Sequence, residues 1–180
     1  MPDHHWLVRA QEPLTPKCIE ASDELYRNRL RALLGVDELV GEVADLVASH
    51  GQLDSTYFLF TSDHGFHLGE MNMPYFKGQP YDTDLRVPFM VRGPGIAAGV
   101  TIEHIGLNID VAPTIASLLG IEPPTAAKVD GRSMEPILFG TAPSDDAGAW
   151  RTDFVFEFFA GGRPGGRAPR GPYCSHMIMA

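Results

Sequence analysis

Cysteine is scarce in this sequence. Cys18 and Cys174 are the only two cysteines among 180 residues, and they lie near opposite ends of the chain. Their separation rules out a zinc site built from closely spaced cysteine pairs and a scaffold held by several disulfides. Cysteine content therefore indicates neither a function nor a redox compartment.

Long apolar runs and concentrated positive charge are also missing. No stretch is apolar enough to cross a bilayer, and the first residues, MPDHHWLVRAQEPLTP, lack the features of a signal peptide. The formal net charge is -9, which argues against a nucleic-acid partner because phosphate contacts need a concentrated basic surface. Taken alone, the residues predict a cytosolic protein with no membrane span. A polyanionic substrate remains compatible with this charge if basic side chains gather in one cleft.

What is present is the composition of a soluble globular domain, with 44% hydrophobic and 21% charged residues. Residues 1–17 contain three prolines and predict an irregular lead-in. Two helical patterns follow, one from an N-cap at Ser22 to an interruption at Gly35, and one from Val36 to a stop at Gly51. Together they predict a long helix or a helix pair before the strand, which is typical of a layered α/β sheet.

The second half of the chain predicts shorter elements. A strand is predicted around Val100–Ile105, and a helix is predicted to start at an Asp110 N-cap and to end at Gly120. Trp150–Phe159 predicts a strand of a small antiparallel layer. The Gly/Arg/Pro tail, residues 160–180, predicts disorder.

The stretch Thr56–Pro88 carries most of the residues with chemical potential. Its apolar start, Thr56–Thr61, predicts a buried strand that ends at Ser62-Asp63-His64-Gly65. An acid and an imidazole are thereby placed at the C-terminal edge of a strand, where open α/β sheets keep their chemistry. A second short strand is predicted at Val87–Val91, with a polar loop between the two strands.

Asp63 and His64 are adjacent, so on a continuing strand their side chains would face opposite ways. They can converge on one metal ion only if the backbone turns, which Gly65 permits. The alternative is that Asp63 caps the next turn and His64 is an ordinary surface imidazole.

Two further residues of the loop are candidates for catalysis. His67 lies three residues after His64 and suits a second ligand, a general acid or a donor to a substrate oxygen. The ammonium of Lys77 would stabilise negative charge on a departing ester oxygen. The alternatives are a loop histidine bonded to backbone and a solvated lysine.

Other polar residues are weaker candidates. Glu70, Asp82 and Asp84 are possible ligands, but Asp84 is predicted to pair with Arg86 and pin the loop to its strand. His104 receives no role. The sequence contains no Gly-x-Ser-x-Gly and no glycine-rich phosphate loop, so no nucleophile is apparent.

Several segments together resemble the later part of the sulfatase domain, most of all N-acetylglucosamine-6-sulfatases and their extracellular heparan endosulfatase relatives. The resemblance covers about residues 4–159 in the same order and spacing. Its segments are HWLVR, LLGVDELV, TYFLFTSDHGFHLGE, LRVPFMVRGPGI and NIDVAPTIASLLG.

The resemblance implies an alkaline-phosphatase-like α/β fold, with part of a large mixed sheet between helices and a small C-terminal antiparallel layer. In that family a formylglycine, made from the cysteine of a Cys-x-Pro-x-Arg motif, attacks sulfur beside a calcium ion. Asp63 matches a metal-binding aspartate, and His64 occupies the neighbouring ligand position. Lys77 matches the lysine that contacts the sulfate and the leaving oxygen, and His67 falls where these relatives carry a histidine near the pocket.

The sequence departs from the family pattern in two respects. It contains no Cys-x-Pro-x-Arg and no paired N-terminal aspartates, so residues 1–159 are predicted to be the C-terminal part of a sulfatase domain, with the formylglycine in an upstream part. In addition, an imidazole suits zinc better than calcium. Metal-dependent phosphodiesterases of the same superfamily use an Asp-His pair on zinc, which makes a phosphoester hydrolase an alternative.

The resulting hypothesis is a sulfuric ester hydrolase that acts on a sulfated glycan through half of an active site, with a divalent metal, calcium by resemblance. The competing hypothesis is a catalytically inactive truncated homologue that self-associates through an exposed sheet edge. Turnover by the 180-residue chain alone is not expected. The resemblance implies a lysosomal, periplasmic or secreted location.

Overall fold

A computed structural model of the protein describes residues 6–9, 11–121, 129–141 and 150–156. The chain forms two compact units. The first contains the described residues up to Ser49 together with His64–Pro88, and the second contains His50–Asp63 and the described part of Phe89–Phe156. The predicted tail, residues 160–180, lies outside the described residues.

The first unit is dominated by one long helix. After a single turn, α1 (Trp6–Arg9), the helix α2 runs without a break over Pro16–Ser49. Of the two predicted alternatives, a long helix or a helix pair, the structure contains the long helix, and the interruption predicted at Gly35 is wrong. A Cβ atom at Gly35 would meet no other atom within 4 Å, so Gly35 is an ordinary helical position, which lowers helix propensity by only about 1 kcal/mol relative to Ala.

Both ends of α2 have identifiable signals. The start is not Ser22 but Thr15-Pro16, where the Thr15 hydroxyl accepts a hydrogen bond from the Cys18 amide at 3.3 Å. Proline is favoured at the first helical position because its fixed φ matches the helix and its missing N–H has no partner there. Gly51, just after the helix, has a φ of +66° and confirms the predicted stop.

The remainder of the first unit is the loop that begins at His64. It contains a 3-10 turn (Glu70–Asn72) and the one-turn helix α3 (Asp82–Leu85). A two-residue antiparallel bridge joins His67 and Phe76 within it.

The second unit is built on a pair of antiparallel strands. After a 3-10 turn (Leu53–Ser55), β1 (Phe58–Thr61) pairs with β2 (Phe89–Arg92), and Thr61 lies opposite Phe89. Both strands were predicted to within two residues. They are half-buried rather than buried, and the Tyr57 hydroxyl bonds the Pro94 carbonyl across their outer end at 3.1 Å.

Short helices complete the second unit. A 3-10 turn (Asn108–Asp110) leads into α4 (Val111–Leu118), as predicted, and α5 (Glu135–Leu138) follows. Residues 100–105 and 150–156 form no strand, contrary to the expectation from their β-forming content. Residues 157–159 of the predicted C-terminal strand lie outside the described residues.

The core of the second unit lies around α5. Met134, Ile137 and Leu138 are buried there, and half-buried apolar side chains pack on them, namely Phe89, Val91, Ile96, Ile102, Val111 and Trp150. None of the helices in the described ranges combines the length and apolarity needed to span a bilayer.

Candidate active site

The acid at the end of β1 is held through its backbone. The Asn108 side-chain amide donates hydrogen bonds to the carbonyls of Ser62 and Asp63, at 3.1 and 3.0 Å. These bonds fix the chain where the strand ends, and the Asp63 carboxylate is exposed to solvent. From the sequence, Asn108 was assigned only to the start of a helix, because its contact with Ser62 and Asp63 joins residues far apart in the chain.

Gly65 makes the turn that follows possible. Its amide donates to the Asp84 carbonyl at 2.8 Å, and the next amide, of Phe66, donates to the Thr83 carbonyl at 2.9 Å. A Cβ atom at Gly65 would lie 1.9 Å from the Thr83 carbonyl oxygen. Any other residue would therefore push the two segments apart, which confirms that the turn depends on this glycine.

His64 and Lys77 are brought into direct contact within the first unit. The Lys77 Nζ lies 2.7 Å from Nε2 of His64, and Nδ1 of His64 lies 2.8 Å from the Gly65 carbonyl. A carbonyl can only accept and an ammonium can only donate, so Nδ1 carries the proton and Nε2 carries a lone pair. In the tautomer that satisfies both contacts, Nε2 of His64 accepts a hydrogen bond from Lys77.

His67 is buried, with only 2% of its surface exposed. Its Nδ1 lies 2.8 and 3.1 Å from the two carboxylate oxygens of Asp84, which is itself 4% exposed. The predicted pair of Asp84 with Arg86 is wrong: Asp84 pairs with His67, and it also accepts the backbone amide of Gln79 at 2.7 Å. Arg86 is exposed.

The other weak candidates have local roles. Glu70 accepts the amide of Leu68, two residues earlier, and Asp82 is exposed in the first turn of α3. His104 lies edge-on to the ring of Trp150. In the described part of the chain, no three His, Cys, Asp or Glu side chains are grouped closely enough to hold a metal ion.

Asp110 is a fully buried carboxylate in the second unit. It occupies the N-cap position of α4, but its side chain makes no capping hydrogen bond to that helix. Instead the carboxylate accepts the amides of Leu107 and Arg132, each at 2.9 Å, and forms a two-pronged ion pair with the Arg151 guanidinium. Burial acts to raise the pKa of Asp110, but these donors outweigh burial and hold the pKa below its ordinary value.

The sequence matches a known protein family. The profile of the Sulfatase family matches residues 5–121, so the chain belongs to the sulfatase family. Similar solved structures confirm the predicted fold class, an alkaline-phosphatase-like α/β fold that is present in part.

Two sulfatase relatives are similar to most of this chain. The chain is 42% identical to the extracellular sulfatase SULF-1 homolog of Drosophila melanogaster over 87% of its own length and 14% of the relative's. It is 38% identical to human N-acetylglucosamine-6-sulfatase, over 88% of this chain and 28% of that protein. The chain therefore spans less than a third of the length of either relative.

Two solved structures are similar as well. BT4656, in complex with its substrate D-glucosamine-2-N,6-O-disulfate, matches with a TM-score of 0.58 and 36% identity, over 66% of this chain and 23% of that one. A phosphonate monoester hydrolase from Silicibacter pomeroyi matches with a TM-score of 0.56 and 40% identity, over 64% and 22% of the two chains.

Proposed function

We propose that this chain is the part of a sulfuric ester hydrolase that carries the leaving-group side of the active site, and that its substrate is the 6-O-sulfate of N-acetylglucosamine in a glycosaminoglycan. The observation that carries the proposal is the contact of Lys77 with His64 at 2.7 Å, one residue past the strand-end Asp63. Membership of the sulfatase family supports the reaction class. The substrate rests on the 6-sulfatase relative and on the substrate named for BT4656.

Each residue has a chemical task in this proposal. The Lys77 ammonium neutralises the negative charge that develops on the sugar oxygen as the S–O bond breaks. His64 orients that ammonium through its Nε2 lone pair when that lone pair holds no cation. The exposed Asp63 carboxylate supplies a fixed negative charge at the end of the strand. His67, held by Asp84 through Nδ1, is the proposed proton donor or hydrogen-bond donor to a substrate oxygen.

A divalent cation is part of the proposal, and Asp63 and His64 would hold it. The carboxylate and the Nε2 lone pair are chemically suitable donors, although that lone pair accepts either the Lys77 proton or a cation, not both. A carboxylate favours calcium, and an imidazole favours zinc. When bound, the cation would supply positive charge that polarises the sulfate.

The attacking group is proposed to be a formylglycine elsewhere in the enzyme. None of the 180 residues belongs to a Cys-x-Pro-x-Arg motif, since Cys18 is followed by Ile-Glu-Ala and Cys174 by Ser-His-Met. This chain alone is accordingly expected to turn over little or no substrate. A secreted, periplasmic or lysosomal location is proposed by analogy with the extracellular relative.

Hydrolysis of a phosphorus ester is the second candidate. It is favoured by the similarity to a phosphonate monoester hydrolase at 40% identity and by the imidazole of His64, which suits a transition metal. Parallel kcat/KM measurements on a sulfate ester and a phosphonate monoester of the same alcohol distinguish the two reactions. A higher kcat/KM for the phosphonate would identify the reaction as hydrolysis of a phosphorus ester and not of a sulfate ester.

The test of the proposed function is the substitution Lys77→Ala in the longest natural product that contains this chain. Loss of one donor to the leaving oxygen is expected to lower kcat for N-acetylglucosamine-6-sulfate on the order of 10²–10³-fold, with bound metal unchanged. Lys17→Ala, which removes another exposed lysine, is the matched control and should retain parental turnover. Equal turnover by the Lys77 variant would remove Lys77 from the mechanism.

The metal assignment has a separate test. Asp63→Asn removes the charge of a proposed ligand, so the purified variant is expected to lose both bound divalent metal, measured by elemental analysis, and sulfate release. Asp54→Asn, at another exposed aspartate of the same unit, is the control. Full metal occupancy in Asp63→Asn would show that Asp63 is not a ligand.

A further inference from the structure

Asp84 is the one carboxylate among the described residues of the first unit that is almost wholly buried, with 4% of its surface exposed. A buried charge without partners is strongly unfavourable, so the groups that face it are under strong constraint. Those groups are the ring N–H of His67, the backbone N–H of Gln79 and, at 3.4 Å, the hydroxyl of Thr83. Hydrogen bonds to an ionised carboxylate are about twice as strong as neutral ones.

The chain is held by hydrogen bonds both before and after Lys77 in the sequence. On one side, the backbones of His67 and Phe76 exchange hydrogen bonds of 3.0 and 3.1 Å, which fixes the residue directly before Lys77. On the other side, the Asp84 carboxylate holds the amide of Gln79 at 2.7 Å, two residues after Lys77. The same carboxylate holds the ring of His67, so one side chain ties together both arms of the loop.

The backbone of Asp84 adds a third connection. Its carbonyl accepts the Gly65 amide at 2.8 Å, directly after His64. Gly65, which follows His64, and Gln79, two residues after Lys77, therefore both bond to Asp84. This matters because Lys77 is exposed. An exposed lysine side chain samples many rotamers, and holding it in one of them costs up to about 2 kcal/mol of conformational entropy.

We propose that Asp84 is a positioning residue for the hydrolysis proposed above: its buried carboxylate, bonded to His67 and Gln79, holds the Lys77 ammonium against His64. The catalytic part of this inference rests on the proposed function. The structural part, that Asp84 holds Lys77 against His64, can be tested without measuring turnover.

The experiment compares the parent 180-residue chain with Asp84→Asn by NMR. Asparagine is uncharged and carries an NH2 donor in place of one carboxylate oxygen, so both hydrogen bonds are weakened and one N–H faces another donor. Two signals report on the proposal: hydrogen exchange of the Gln79 amide, and the NOE between the Lys77 side chain and the His64 ring. In Asp84→Asn the Gln79 amide is expected to exchange on the order of tenfold faster or more, and the NOE is expected to disappear.

Two further variants serve as controls for a nonspecific effect of the substitution and for misfolding of Asp84→Asn. Asp37→Asn changes an exposed aspartate of α2 and should leave both signals at parental values. Gln79→Pro deletes the amide hydrogen that Asp84 accepts, together with the Gln79 side chain. Because Gln79 precedes Pro80, its backbone favours the extended region, with which proline is compatible. This variant should lose the NOE while the His67–Asp84 contact persists, even if Asp84→Asn fails to fold.

The outcomes separate this inference from the proposed function. A folded Asp84→Asn or Gln79→Pro chain that keeps the Lys77–His64 NOE overturns the positioning role, whatever the enzyme's activity. Absence of sulfate-ester turnover by the parent enzyme overturns the proposed function but leaves the NMR result to decide the role of Asp84. Where turnover is present, Asp84→Asn should lower kcat by a factor similar to that of Lys77→Ala, with KM changed less than kcat.

Discussion

His67 shows how one side chain can serve structure and chemistry through different atoms. Its Nδ1 is committed to Asp84 in a buried pair, and the proposed chemistry concerns Nε2 alone. The sequence predicted a catalytic role from the spacing to His64. It gave no sign of the pair with Asp84, because 17 residues separate the partners and only the folded loop brings them together.

Substitutions that mimic each ring nitrogen separate these roles. In His67→Asn the side-chain amide replaces the Nδ1 donor, so the free energy of unfolding is expected to fall by less than about 1 kcal/mol, with turnover reduced. In His67→Gln the amide lies near the position of Nε2, and the unsatisfied Asp84 is expected to lower the unfolding free energy by about 1–3 kcal/mol. Urea denaturation followed by circular dichroism measures both.

Identical stabilities of the two variants would show that the Nδ1 contact contributes nothing to folding. The turn after β1 was predictable from sequence, since a strand end followed by Gly65 is a local signal of a turn, whereas the roles of His64 and Lys77 stay predictions. Asn108 and Asp84 were missed or misassigned because their partners are distant in the chain.

At the scale of elements, α2 illustrates how local signals compete. The pattern favoured a start at Ser22 and a break at Gly35, yet Thr15-Pro16 supplies the start and the helix continues to Ser49. A single glycine does not end a helix whose neighbours are strong helix formers. The presence of helix and the stop at Gly51 were therefore predictable, whereas the sequence left open whether one long helix or a helix pair forms.

The start of α4 depends on a residue whose main contacts lie outside that helix. Asp110→Ala would leave the partly buried Arg151 without its carboxylate, so the unfolding free energy is expected to fall by roughly 3 kcal/mol. Thermal and urea unfolding measure this loss, and Asp130→Ala, at an exposed aspartate, is the control. A loss no greater than that of the control would show that the ion pair is energetically neutral.

The Asp110 carboxylate also makes the free energy of unfolding depend on pH. Because the folded pKa of Asp110 is lowered, the ionised form stabilises the fold at every pH above the ordinary aspartate pKa, about 3.9. This contribution is lost as the pH falls from about 4 through the lower folded pKa. The difference in unfolding free energy between the parent and Asp110→Ala should accordingly shrink below about pH 4.

At the scale of the whole molecule, the most prominent property is exposed apolar surface. Ten large apolar side chains of α2 are between 38% and 66% exposed: Ile19, Tyr26, Leu30, Leu33, Leu34, Val36, Leu39, Val40, Val43 and Leu46. The two strands also have no further strand partner among the described residues. Such surfaces promote association.

The isolated chain is therefore expected to bind a hydrophobic dye and to elute from size-exclusion chromatography as an associated species. Replacing Leu34 and Leu39 with Glu should reduce both dye fluorescence and apparent mass, because charge on the apolar face of α2 disfavours its burial. Replacing the exposed Arg27 and Glu38 with Gln serves as the control. A dye-silent monomeric parent would instead indicate a self-sufficient domain.

The pairing of Thr61 with Phe89 has an evolutionary consequence. Hydrogen bonds between β1 and β2 close the loop of residues 62–88 at its base, so the strand register does not depend on how many residues the loop contains. Lengthening a closed loop is inexpensive, about 0.6 kcal/mol for each doubling. Insertions between Leu68 and Tyr75 are thus an accessible way for this scaffold to change the surface of the loop while Lys77 and the residues that hold it stay in place.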